Sequence, residues 1–189
     1  MTVGSYYFFI AQLPTPMYGQ AIPMSSAAFK EMAQLYMTRS EAKDLEFCTL
    51  EPISDKRTLK AVASSRFIKD WHNWETVLRQ NLARNRSRKL KWEGSDLWET
   101  IDDIADAAAA AKTALAMDSP LEAELFLDRA RWNIIEQFQG IVYFSENTIY
   151  AYLLKLKLME RRQAFNMEEG FAEYKTLYAS ILENAGEPK

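Results

Sequence analysis

The segment FIKDWHNWETVLRQNL, residues 67–82, decides the fold class. At about 100° per residue, Phe67, Trp71, Trp74, Leu78 and Leu82 fall in one narrow arc, the pattern of a helix that buries a single face. Trp71, Trp74 and Leu78 are therefore expected to pack against the helices of the C-terminal half. His72 stands well off the arc and reads as a flank residue.

The stripe fades at Asn85, where a segregated charge run takes over. Residues 79–106 read RQNLARNRSRKLKWEGSDLWETIDDIAD, with six bases before Trp92 and six acids after it. Arg84, Arg86, Arg88, Lys89 and Lys91 point all round the helix axis, which predicts a solvent-facing end or a charged connector. Together with Arg79 they form the candidate protein-docking set. A nucleic-acid track is disfavoured, because the acids that follow would repel the same phosphates and no recognised binding motif accompanies the bases. Segregated charge steers association without naming the ligand.

Beyond Gly94, Ser95 can cap a helix with Asp96, Glu99, Asp102, Asp103 and Asp106 on one face and Leu97, Trp98, Ile101, Ile104, Ala105 and Ala108 roughly opposite. The alanine run at 107–111 extends it and permits close helix approach. Ser119, Pro120 and Glu122 then form a helix-start signal. The helix they open carries Leu121, Leu125, Trp132, Ile135 and Phe138 on its core side and stops at Gly140. Residues 145–165 give a further helix through Ile149, Leu153 and Leu156, with Tyr150 and Lys157 less constrained. A last helix follows through Phe171, Tyr174, Leu177, Tyr178, Ile181 and Leu182.

On the N-terminal side, SYYFFIAQLP (residues 5–14) fits either a short strand, a buried extended segment or a helix start. Ser25 or Ser26 can cap a helix bearing Phe29, Met32 and Leu35, and Thr38 with Glu41 makes a capping box. The expectation is a mainly α protein: a compact helical bundle or two closely packed helical subdomains over 1–189, with a candidate boundary near 94 or 119.

Composition narrows the function. A chain of 189 residues with 48% apolar side chains can build a real core, and a net charge of −3 is not that of a basic nucleic-acid binder. Cys48 is the only cysteine, so no intramolecular disulfide forms, which favours a reducing compartment; the thiol reads as partly buried rather than nucleophilic. No window approaches the apolar length of a membrane span, and the start lacks the basic region of a signal peptide. His72 has no readable nucleophile or orienting acid beside it, and no glycine-rich phosphate loop occurs. Glu99–Asp103 and Asp102–Asp106 are four-spaced acid pairs, which makes a metal-dependent hydrolase using Glu99, Asp102, Asp103 and Asp106 the alternative reading. No cofactor is expected.

SYYFFIAQLPTP, followed by MSSAAFKEMAQLYMTRSEAKDLEFC and by the Arg-rich WETVLRQNLARNRSRKL, resembles a small bacterial family encoded with V/A-type ATPases. Members of that family look like reduced counterparts of the C/d-type subunit, a helical socket between membrane rotor ring and central stalk that transmits torque without hydrolysing ATP. The resemblance implies a non-catalytic peripheral subunit or assembly factor of a rotary ATPase, with stalk or membrane-ring subunits as partners. It also implies a cytoplasmic protein held at the inner membrane indirectly, through the complex. The chain departs from full C/d subunits in length: they are nearly twice as long and have three related helical parts, so no residue carries over as a socket contact.

Overall fold

The structure is a computed structural model that describes residues 6–53, 63–91 and 104–165. Among these the chain forms seven helices and no strand: α1 (Tyr7–Ile10), α2 (Ser26–Gln34), α3 (Arg39–Leu45), α4 (Arg66–Lys89), α5 (Ala105–Leu115), α6 (Pro120–Gln139) and α7 (Glu146–Gln163). The aromatic N-terminal segment is thus a single helical turn. The expected helix through Phe171 and Leu182 lies outside the described residues, as do Glu99, Asp102 and Asp103.

Local signals set the starts of α2, α3 and α6 and the end of α6. Ser25 caps α2 by accepting from the Ala28 amide, and Ser119 caps α6 by accepting from the Glu122 amide, with Pro120 at the first helical position. Thr38 and Glu41 form the reciprocal capping box of α3. Gly140 ends α6 at φ 71°, a left-handed geometry that favours glycine. Helix α4 starts differently. Ser65 offers no side-chain cap, and Asp44 of α3 accepts instead from the Ser64 amide at 3.0 Å and the Ser65 amide at 2.8 Å. A buried carboxylate there satisfies orphan donors and meets the positive end of the helix dipole.

Side-chain pairs fix the directions of the long helices. Phe67 meets Phe138, Glu75 meets Arg131, and Arg86 shares a cleft with Glu124, so α4 and α6 run antiparallel. Thr148 meets Gln139, Lys155 meets Glu136, and Arg161 meets Glu124, so α6 and α7 are antiparallel too. The N-terminal segment wraps this frame. Tyr7 packs on Phe144, Tyr152 donates to the Pro14 carbonyl, Tyr18 packs on Trp132, and Ser26 binds Glu160. Small residues let α5 lie close against α4 and α6, with Ala107, Ala110, Ala111 and Ala114 buried.

The stripe of α4 is buried as expected, with Phe67, Trp71, Trp74, Leu78 and Leu82 all in the core. Four expectations are corrected. His72 is buried, and its Nε2–H donates to the Phe47 carbonyl at 2.6 Å. Tyr150 is fully buried beneath α3 and against Phe67. Cys48 is fully rather than partly buried. Leu35 is 82% exposed because it caps the end of α2, and Ala33 takes the inner position.

Candidate functional site

The bundle carries a buried ion network at its middle and an open basic end. Glu75, off the tryptophan arc of α4, faces Arg131 of α6 across the bundle. Arg131 donates from Nε and Nη2 to the two Glu75 oxygens, both at 3.0 Å, and from Nη1 to Asp128 at 3.0 Å. Asp128 also accepts from Arg161 of α7 at 2.6 Å, and Arg161 reaches Glu124 at 2.6 Å. Arg79 closes the outer side, donating to Glu75 at 2.7 Å and to the Leu50 carbonyl at 2.7 Å.

Three members of the network are deeply buried, with side-chain exposures of 3% for Glu75, 5% for Arg131 and 0% for Asp128. Burial works against the Arg131 cation, but Glu75 and Asp128 outweigh it and hold the guanidinium above its usual range. Burial pushes the Asp128 carboxyl up, while Arg161 and Arg131 pull it down, and its Oδ2 has no hydrogen-bond partner. The sequence signal for these residues is a charge placed on a core stripe. Asp128 occupies the gap between Leu125 and Trp132 in the apolar series of α6, and Arg131 lies one turn on.

Beside the network lies a cleft of about 640 Å³ whose lining includes Arg79, Arg86, Arg131 and Arg161 together with Glu51 and Glu124. Past it, α4 continues for two turns beyond Leu82, its last buried residue. The six candidate docking residues divide accordingly. Arg79 is tied into the network, Arg84 is half-buried, and Arg86, Arg88, Lys89 and Lys91 are exposed. None of Arg84, Arg86, Arg88, Lys89 or Lys91 forms an ion pair with an acid among the described residues. The bases of the last turn also favour the negative end of the α4 dipole, by about 0.3–1 kcal/mol each. That accounts for Arg86, Arg88 and Lys89 in part and for Arg84 and Lys91 not at all. Lys91 follows the helix at φ 52°, a left-handed conformation that closes it.

The acidic face expected after Gly94 is interrupted. Ile104 is extended, at φ −112° and ψ 99°, and α5 begins only at Ala105. Of the four acids of the metal reading only Asp106 is described, and it lies on α5. Asp106 is exposed in the first turn of α5, where its carboxylate accepts from the Ala107 amide. Among the described residues no cluster of His, Cys, Asp and Glu has the makings of a metal site. Histidine 72 faces a backbone carbonyl rather than a nucleophile, and burial lowers its pKa. Burial raises the Cys48 thiol far above its usual range.

At the far end of the bundle, by the α6–α7 turn, Phe8, Ile141, Val142 and Tyr143 are exposed, Ile141 completely. No described helix is long and apolar enough to cross a membrane. Compared with known proteins, the chain matches no family model, no curated protein and no solved structure.

Proposed function

We propose that this chain is a non-catalytic peripheral subunit or assembly factor of a V/A-type rotary ATPase, docked to a stalk or membrane-ring subunit through the basic end of α4. One observation carries the reading: α4 runs two turns past its last buried residue, and Arg84, Arg86, Arg88 and Lys89 on it, with Lys91 just beyond its end, have no acidic partner among the described residues. A helix fixed at one end in a core holds its free end in place, so charges there meet a partner with little ordering cost. The likeness of residues 5–16, 24–48 and 74–90 to the ATPase-associated family supports the choice of partner. On this reading the chain contacts the membrane only through its complex.

The test is titration of purified stalk and ring components of the organism's own rotary ATPase against wild type and the Arg84→Glu, Arg88→Glu double variant. Association of wild type should weaken as salt rises, because exposed charges act mainly on encounter rate and are screened. The variant should bind more weakly at low salt with unchanged circular dichroism. Equal binding by both proteins at low and physiological salt would remove this surface from consideration. Affinity purification that recovers no rotary-ATPase component from lysates holding the intact complex would sink the reading as a whole.

A further inference from the structure

The cleft beside the basic end is built for something more specific than general charge. Its lining mixes charges with the apolar side chains of Leu50, Pro52, Leu82, Ala83 and Leu127. Of its four guanidiniums, Arg79, Arg131 and Arg161 are engaged by Glu75, Asp128 and Glu124. Arg86 has no such partner among the described residues, and Arg79 uses only Nε and Nη2 in its hydrogen bonds. Around the cleft the four arginines are balanced by Glu51, Glu75, Glu124 and Asp128. That balance disfavours a polyphosphate or nucleic acid, which need several uncompensated cations. It leaves room for one carboxylate at Arg86, in a cleft that also has apolar lining and the carboxylates of Glu51 and Glu124.

We infer that this cleft receives a short peptide segment of a partner protein, with one acidic residue seated on Arg86 and a neighbouring aliphatic side chain laid against the apolar lining at Leu50, Pro52 and Ala83. The inference rests on the proposed docking only for the identity of the protein that donates the segment. The cleft opens directly onto the exposed turns of α4, so one partner could engage both. A carboxylate on an arginine gives register, and the apolar contact supplies most of the affinity.

The probe is a fluorescein-labelled peptide, Gly-Ser-Leu-Glu-Leu-Ser-Gly, titrated against the full chain by polarisation, with a Glu-to-Lys version as its counterpart. Saturable binding of the acidic peptide is expected, with about tenfold or greater loss in Arg86→Glu, because a charge-assisted hydrogen bond becomes a repulsion. Ala83→Trp, which fills the cleft without touching a charge, should abolish binding. Lys112→Glu, an exposed change of equal charge on α5, should leave it intact. Binding that survives Ala83→Trp, equal binding of the lysine peptide, no saturable binding at all, or tighter binding of tripolyphosphate than of the peptide each overturns the inference. Peptide binding of the expected kind in a protein that retains no ATPase component would keep the cleft and discard the docking proposal. The reverse result would do the opposite.

Discussion

Replacing Arg131 with Met isolates the energetics of the buried network. The guanidinium makes three hydrogen bonds to Glu75 and Asp128 at 3.0 Å, and all three side chains are nearly inaccessible. Removing one partner of a buried ion pair typically costs about 3–5 kcal/mol, because a desolvated charge is left behind. Here each acid keeps a second guanidinium: Glu75 retains Arg79 at 2.7 Å, and Asp128 retains Arg161 at 2.6 Å. The loss should therefore sit at the low end, about 3 kcal/mol, or about 6–12 °C in Tm for a chain of this size. Urea denaturation followed by circular dichroism reads it as a lower midpoint at an unchanged slope. A second variant makes the reasoning sharper. Glu75→Leu, Asp128→Leu and Arg131→Met together remove the three deeply buried charges of the network, while the partly exposed Arg161 keeps Glu124 and the partly exposed Arg79 keeps the Leu50 carbonyl. That triple change should recover most of the lost stability, since an apolar replacement of a buried ion network is often neutral or stabilising. A loss below about 1 kcal/mol in Arg131→Met would refute the account of the network as a mutually dependent buried cluster.

Three further outcomes follow from the core. Trp74→Ala should destabilise by about 3 kcal/mol, the lower part of the usual range, because the buried indole N–H has no acceptor and its removal relieves an unmet donor; a change under about 1 kcal/mol would displace Trp74 from the core face. Burial lowers the pKa of His72 below its ordinary value of about 6.5, so near and below that pH the unfolded chain binds a proton that the folded chain does not. His72 thus contributes stability above about pH 6.5 that is lost as pH falls toward the folded pKa, and His72→Gln should flatten the pH 5–7 part of a urea-midpoint profile; an unaltered profile would place the titration elsewhere. Cys48 should resist iodoacetamide in native buffer and react at once in denaturant, because its thiol is fully buried and held protonated; prompt native labelling would contradict that burial.

The amino-acid sequence determined the helical class and much of its punctuation, because those signals are local. The Phe67–Leu82 stripe, the Ser25, Thr38 and Ser119 caps and the Gly140 stop depend on residues within a few positions of one another. The exposure of Arg86, Arg88, Lys89 and Lys91 was legible for the same reason: the apolar periodicity ends at Leu82 while the helix goes on. Only the tertiary structure decided what distant residues do together. Asp44 caps α4 from another helix, His72 is buried because the Phe47 carbonyl lies over it, and Tyr150 is buried because α3 folds across α7. Glu75, Asp128, Arg131 and Arg161 come from three helices, and although Asp128 stands on the apolar stripe of α6, nothing in the sequence names the charges that would meet it. Their burial becomes tolerable only once antiparallel packing brings opposite signs within 3.0 Å, and no spacing along the chain encodes that approach.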